Sequence, residues 1–480
     1  MNAELIGNQI NRTVKLAMDS GEANSPEEAR RIFERYRLRL NVGSDVAKSP
    51  TLQACLLTAI NTGRRCFLGG VEVVGCPEAD LLIRWRDCRT LSKAVARLQG
   101  RLVQRTAGDA PQIIIGEADH LDGESEFAVR ATFDGWLGGV TPLDEVKRLN
   151  ECDEFTPSGV LAGALVVSEA FQFVRGRNAQ AGRRSVGLSL WQPDSADDWL
   201  DNREVGPKLE WLPARLWLIG LGHLGQAYLW ALGFLPYIEP SDVQLILQDF
   251  DTLVPANDST SPLTDYSLID KKKTRAMADW AAQRGFTTRI VERRFTSNFQ
   301  IDPEEPQVAL CGVDNIAARA ALEDAGFAQI IEAGLGRGNE EYLAFQMHCF
   351  PASKSARERW GTNSSGPVSP SSLIVNPAYQ SLAKNGLNQC GLTMLANRAV
   401  GASFVGTFTS TIVVAELLRM AMGGMRYEVV DGSLRSPDRL NLIAAKPSDL
   451  PFNPGVTRAR HEPVKENLAA CPTGFIESEE

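Results

Sequence analysis

The stretch Leu216–Gly233, LWLIGLGHLGQAYLWALG, sets Gly220, Gly222 and Gly225 between a short apolar run and an apolar helical pattern. G-x-G-x-x-G at such a junction belongs to a strand–turn–helix whose helix N-terminus receives a phosphate. The glycines let the backbone close on the ligand, and the first N–H groups of the helix meet its charge. The next apolar run, VQLILQDFD, ends in two carboxylates, Asp249 and Asp251. A carboxylate about twenty residues past the last glycine is placed to accept from ribose hydroxyls. Dinucleotides and ATP both carry phosphate and ribose, so these residues alone admit an oxidoreductase as well as an enzyme that consumes ATP.

The elements that must hold such a turn extend well beyond it. A chain of 480 residues is too long for one ordinary core, so two or three domains are expected. Residues 1–60 read as helical, with Ser25 an N-cap in SPEEARRIFERYRLRL. Short apolar runs then follow in FLGGVEVVG, ADLLIRW and PQIIIG, each bounded like a buried strand of an α/β sheet. SGVLAGALVVSEAFQFVRG has the length and period of a buried helix, and the polar segment WQPDSADDWLDNREVGPKLEW is the best domain boundary. This divides the chain into a first α/β domain over 61–205, a second over 206–430, and a small polar extension over 431–480 with a mobile end. ALVVSEAFQFVRG (164–176) lines up with TIVVAELLRMAMG (411–423), sharing Val-Val, a Glu and a closing Gly. Self-similarity of this kind suggests a duplicated domain. The first copy has no G-x-G-x-x-G opening a helix, so only the second is expected to bind nucleotide.

Composition narrows the function. With 44% hydrophobic and 23% charged residues the chain reads as an ordinary globular protein. A formal net charge of -9 argues against a protein whose main task is gripping nucleic acid. No run of eighteen apolar residues predicts a membrane span, and the N-terminus lacks the apolar core of a signal peptide. The nine cysteines are scattered singly without a C-x-x-C pair, which fits reduced thiols in the cytoplasm and argues against a structural zinc site.

After the glycine turn the sequence continues DFDTLVPANDSTSPL, then KKKTRAMADWA, then PQVALCGVDNIAARAAL. A glycine loop, an Asp-x-Asp, an Asn six residues on, a Lys opening the next helix and a later Asp-Asn together resemble the ThiF and ubiquitin-activating superfamily of adenylating enzymes. The resemblance implies ATP and Mg2+ as the bound groups, in two tandem Rossmann-like adenylation domains of mostly parallel sheet flanked by helices, the first inactive and the second active. Carried over residue by residue, it gives the ribose to Asp249 with Asp251 as partner, and the family Asn to Asn257. The phosphate-contacting lysine falls on Lys273, with Lys271 and Lys272 as alternatives, and the metal-binding aspartate on Asp314 beside Asn315. One departure stands out. The family carries Arg-Gln three and four places after its Asn, whereas this chain has Thr260 and Ser261.

The same resemblance implies adenylation of a carrier protein's C-terminal carboxylate, followed by transfer to an enzyme thiol. Such a thiol must be exposed, near positive charge or a helix N-terminus. Cys390, in AKNGLNQCGLTMLANRAVG, is the candidate nucleophile, while Cys311 lies in a strand-like run and Cys349 stands beside His348. His223 and His348 carry no catalytic signal of their own. Gly334, Gly336 and Gly338 form either a tail-binding strand pair or a plain glycine hairpin. The chain therefore reads as similar to a bacterial activating enzyme for a ubiquitin-like protein, of the Bil-type antiviral conjugation kind, with a conjugating enzyme as thioester acceptor. A sulfur-carrier adenylyltransferase of the ThiF/MoeB kind is the first alternative, and an NAD-binding oxidoreductase or an inactive scaffold the second. Neither nucleic acid nor membrane is expected as a partner, and a homodimer is left open.

Overall fold

The computed structural model describes residues 3–104, 108–118, 121, 125–144, 148–195, 198–201, 205–361, 371–446 and 452–460. Three short helices lead the chain: α1 (Ala3–Gln9), α2 (Lys15–Asp19) and α3 (Pro26–Glu34). Ser25 caps α3 by accepting from Glu28 N at 3.1 Å, with Pro26 in the first turn where its missing N–H costs nothing. The first sheet holds β1 (Arg37–Val42), β2 (Gly70–Val74), β3 (Arg101–Val103), β4 (Gln112–Ile115), β5 (Ala128–Asp134), β6 (Leu137–Pro142) and β7 (Val186–Ser189). Helices α4 (Pro50–Gly63), α5 (Leu91–Arg97) and α6 (Thr156–Val174) connect them. In the second half β8 (Trp211–Pro213) precedes β9 (Arg215–Ile219), α7 (His223–Leu232), β10 (Gln244–Gln248), α8 (Lys273–Arg284), β11 (Thr287–Val291), β12 (Val308–Cys311) and α9 (Ile316–Ala320). There follow β13 (Gln329–Leu335), β14 (Ala344–Phe350), α10 (Ala356–Trp360), α11 (Ser371–Ile374), α12 (Pro377–Lys384), α13 (Gln389–Ala396) and α14 (Ser403–Met422). The described chain ends with β15 (Tyr427–Ser433), β16 (Asn441–Ala444) and β17 (Val456–Arg458).

The two sheets share one topology. The first runs β3-β2-β1-β4-β5-β6-β7 and the second β11-β10-β9-β12-β13-β14-β15-β16. In each, five strands are parallel and the rest turn antiparallel. Parallel strands are covered on both faces and so read as continuous apolar runs, as Gln112–Ile115 and Val308–Cys311 do. α6 lies between β6 and β7, and α14 between β14 and β15, so the repeated sequence occupies equivalent places. α6 packs on α4, α14 packs on α7, and α6 meets α14, joining the two sheets through one helical layer. The Trp230 indole donates to Thr58 Oγ1 at 3.0 Å, and Thr156 Oγ1 donates to Phe234 O at 2.8 Å, across that layer. α6 and α14 are long and apolar enough to cross a membrane, which the sequence reading did not anticipate, but they are 89% and 94% buried within the fold.

Three expectations need correction. Residues 1–60 are not all helical: RLRLNV forms β1 in the middle of the first sheet. Its alternating arginines disguise it, yet Arg39 is buried and pairs with Glu72, its register partner on β2, at 3.4 Å. ADLLIRW is a loop rather than a strand. Gln53 holds it through Asp80 O and Leu82 N, and Trp85 stacks 4.4 Å from the Arg284 guanidinium of the second half. Finally, 431–446 is no separate extension. Position 431 falls inside β15, β16 extends the second sheet, and β17 pairs with β8. The expected mobile end, 461–480, lies outside the described residues.

Candidate functional site

The strand register brings the predicted residues to one edge. Ile219, Gln248 and Cys311 are level on the neighbouring strands β9, β10 and β12, so Gly220, Asp249 and Gly312 leave the sheet side by side at its carboxyl end. This is where open α/β folds bind ligands. Gly220 turns with φ +84°, which a side chain resists. A Cβ on Gly225 would lie 1.9 Å from Gly220 O, so only glycine lets helix and strand approach here, whereas a Cβ on Gly222 would meet nothing within 4 Å. The turn is therefore closed beneath and open at the N-terminus of α7.

Asp249 is buried, and its two oxygens accept from Leu221 N at 2.7 Å and Asp251 N at 2.8 Å. It braces the glycine turn. Asp251 is exposed, and its carboxylate meets Lys273 Nζ at 2.8 Å, with Asp249 Oδ2 at 3.8 Å from the same ammonium. Among the three lysines only Lys273 is buried here; Lys272 donates to Phe250 O at 2.7 Å and Lys271 is exposed. Asn257 accepts from Val254 N at 2.9 Å and so closes the 3-10 turn Pro255–Ser259. Asp314 is exposed beyond β12, and Asn315 caps α9 by accepting from Ala318 N at 3.0 Å. Thr260 and Ser261, at the places of the family Arg-Gln, are buried and carry no charge for a phosphate. His223, against which Gly406 of α14 packs, is pushed down to about 4 by burial and stays neutral at ordinary pH.

Several residues emerge only in three dimensions. Arg319 Nε donates to Val313 O at 2.9 Å and pairs with buried Glu332 at 3.0 Å, and Glu332 meets His348 Nδ1 at 3.0 Å, which braces the turn carrying Asp314. Arg337 donates to Asp314 O at 2.8 Å. Arg12 donates its backbone N–H to Ser259 Oγ at 2.9 Å, and burial together with neighbouring Arg398 pushes its guanidinium down to about 10. The position of Arg319 one helical turn past Asn315 is the single local sequence signal among these.

Cys311 and Cys349 are buried, and burial pushes the first up to about 12 and the second well above the usual thiol range. Cys390 is exposed in the first turn of α13, which Asn388 caps at 2.9 Å through Gly391 N, rather than in a loop. Among the described cysteines only Cys152, in the first half, is also fully exposed. The helices around Cys390 are tied to the N-terminus: buried Lys15 pairs with Asp19 at 2.7 Å, Tyr379 OH donates to Asp19 at 2.6 Å, and Asn376 donates to Asp19 O at 2.7 Å. Gly336 is required by its hairpin, since a Cβ would sit 1.8 Å from Glu341 O, while Gly338 is open. Among the described residues no group of three or more His, Cys, Asp or Glu is arranged to hold a metal.

The corresponding turn of the first half is filled. After β1, a Cβ on Gly43 would lie 2.3 Å from Glu117 N, and Asp45 accepts from that N–H at 2.9 Å. Arg148 spans Asp45, Glu117 and Glu151 at 3.8, 3.8 and 2.7 Å.

A doubly wound α/β protein with two sheets of one strand order and an open glycine turn at the edge of the second is the class these features define. Residues 37–190 match the BilD N-terminal domain and residues 212–424 the BilD C-terminal domain. The bacterial E1-like protein BilD of Collimonas sp. (strain OK412) is 42% identical over 433 residues, covering 90% of this chain and 93% of that protein. The chain belongs to the BilD family of bacterial E1-like proteins. Solved structures resemble it more loosely. E. coli MccB is 12% identical with a TM-score of 0.32, covering 67% of this chain and 93% of that one. E. coli TcdA in complex with AMP is 14% identical with a TM-score of 0.28, covering 44% and 86%.

Proposed function

We propose that the chain activates a ubiquitin-like protein with ATP, adenylating its C-terminal carboxylate and then holding the acyl group as a thioester on Cys390 for a conjugating enzyme. The observation that carries this reading is the junction of Asp249, Asp251 and Lys273 with the open turn at Gly222, in a chain of the BilD family. The carboxylate oxygen of the carrier attacks the α-phosphorus of ATP, a new P–O bond forms, and the bond to the β-phosphate breaks to release pyrophosphate. Lys273 supplies positive charge as that charge develops, and Asp251, more accessible than the braced Asp249, accepts from the ribose. Magnesium held at Asp314 would offset phosphate charge. The Cys390 thiolate then attacks the acyl carbon and AMP leaves, the thiol proton passing to solvent. Cys311 and Cys349 are too deeply buried for that step. The first half takes no nucleotide in this scheme, because the Asp45 carboxylate occupies its turn.

Incubation with ATP, Mg2+ and candidate ubiquitin-like proteins, followed by non-reducing electrophoresis, tests the scheme. A dithiothreitol-sensitive adduct that vanishes in Cys390→Ala is expected. Its persistence in that variant moves the nucleophile to another cysteine, and absence of ATP–pyrophosphate exchange in the wild type sinks adenylation.

A further inference from the structure

One turn of the first half reaches into the nucleotide edge of the second. At the C-terminal end of α4, Asn61 Nδ2 donates to Pro262 O at 3.0 Å. Arg64 Nη2 donates to Asp258 Oδ1 at 2.8 Å and Thr264 O at 3.1 Å. Arg65 Nη2 donates to Ser261 O at 3.0 Å and Thr264 O at 2.8 Å. The segment so gripped starts directly after Asn257. Its far side is held by Gln226 of α7, whose buried Oε1 accepts from Leu263 N at 3.1 Å and Thr264 Oγ1 at 3.0 Å. The same Gln226 side chain donates through Nε2 to Leu221 O at 3.1 Å, inside the glycine turn, and Leu221 N is the group braced by Asp249. A continuous hydrogen-bonded path thus runs from α4 through 258–264 and Gln226 to the cradle.

The cost of this arrangement argues that it is more than glue. Arg65 is 2% exposed, its Nε and Nη1 have no hydrogen-bond partner, and its nearest carboxylate, Asp258, is 3.9 Å away. A guanidinium desolvated for two carbonyls and one distant carboxylate is a poor source of stability, since an apolar side chain of similar volume would hold two halves together at least as well. What it supplies is direction: the two N–H groups of the planar Nη2 fix two specific carbonyls of one loop.

We propose that Arg64 and Arg65, with Asn61, are positioning residues by which the first half sets the shape of the phosphate cradle in the second. The proposal rests on the adenylation reading for its ligand, but not for its mechanical link. A half whose own turn is filled is thereby retained because the other half's site is incomplete without it.

The test uses the full chain. Titration calorimetry with ATP and Mg2+ compares the wild type with Arg65→Met, Arg65→Lys and Arg64→Gln, alongside ATP–pyrophosphate exchange and amide hydrogen exchange. Arg65→Met is expected to weaken ATP binding and raise the exchange KM about tenfold with little change in kcat, the pattern of a lost binding geometry. Arg65→Lys should recover only part of this, because an ammonium on a flexible stem does not hold its N–H groups in one fixed plane. Should Arg65→Met fail to fold, the more accessible Arg64→Gln carries the test: it should accelerate hydrogen exchange at Leu221 and Leu263 and weaken ATP binding. Folded variants that bind ATP as the wild type does overturn the proposal. If the wild type binds no ATP, adenylation fails instead. The link itself is then judged by hydrogen exchange alone, and unchanged exchange at Leu221 in Arg64→Gln overturns it.

Discussion

The two halves share a strand order and differ at one turn. In the second, β9 passes directly through Gly220–Gly222 into α7, and the space at Gly222 is empty of protein. In the first, β1 passes through a 3-10 turn at Ser44–Ala47 before α4, and Asp45 hydrogen-bonds Glu117 N where a phosphate would need to come. A carboxylate in that place repels an anion and already accepts from Glu117 N, while Ser49 and Glu154 accept from Leu52 N and Thr51 N at the start of α4. Two halves of one strand order offer the same edge, and the few side chains at each turn set what that edge can admit.

The sharpest way to break this comparison is to remove one charge from each edge. Lys273→Ala should lower ATP–pyrophosphate exchange about a hundredfold to a thousandfold, the usual loss when a group offsetting transition-state charge is deleted. Asp45→Asn, at the filled turn, should leave exchange unchanged. Equal losses in two folded variants would mean that both edges serve the reaction.

A second comparison concerns the repeated helices. Glu169 of α6 and Glu416 of α14 occupy equivalent positions, and both are buried. Each anchors the chain that follows, Glu169 through Gly182 N at 2.8 Å and Glu416 through Tyr427 N at 3.2 Å. Their charges are met differently. Glu416 pairs with Arg419 at 2.5 Å and Arg426 at 3.6 Å, whereas Glu169 has one oxygen without a hydrogen-bond partner. Glu416→Gln leaves Arg419 buried without its countercharge, and should cost about 3–5 kcal/mol in chemical denaturation. Burial instead pushes Glu169 up from the usual carboxylate range to about 7. The folded state therefore holds a proton that the unfolded chain has released. The contribution of Glu169 is fully present below about pH 4.5 and is lost as the pH rises through about 7, by at most about 3 kcal/mol. Glu169→Gln should flatten that decline and make the protein more stable than the wild type above pH 7. A wild-type stability profile level between those values would show that Glu169 finds a partner in solution.

How much of this could be read from the sequence depends on how local each cause is. The glycine turn, the Asp-x-Asp after β10 and the repeated helices are set by neighbours in the chain, and their spacing exposes them. β1 escaped because Arg37 and Arg39 break its apolar run, and the Glu72 that neutralises buried Arg39 lies on another strand. β16 and β17 escaped because their runs are short and are made strands by pairing, with β15 and with β8 from the far end of the second half. The grip of Arg64 and Arg65 on 258–264 joins residues remote in sequence, and nothing near either end announces it. The filled turn of the first half was visible only as a missing motif; what fills it needed coordinates.

The smallest expected effect separates the two turns most cleanly, because the same substitution should lower ATP affinity at one turn and leave it unchanged at the other. At Gly222 an added Cβ would meet no atom within 4 Å, but the backbone has φ -83° and ψ -143°, outside the regions that residues with a side chain favour. Gly222→Ala should fold without a steric clash, at a cost of about 1–3 kcal/mol in backbone strain. The methyl group would nonetheless stand where the open helix N-terminus admits a phosphate, so ATP affinity should fall about tenfold, or about 1.4 kcal/mol. At Gly43 an added Cβ would lie 2.3 Å from the Glu117 amide, which is backbone and cannot swing aside. Gly43→Ala should cost about 1–3 kcal/mol of stability by overpacking and leave ATP affinity as it was. Thermal melting and calorimetry on the two variants read both quantities. Were Gly222→Ala to bind ATP normally, the phosphate could not sit at the N-terminus of α7, and the open turn would lose its claim to be the cradle.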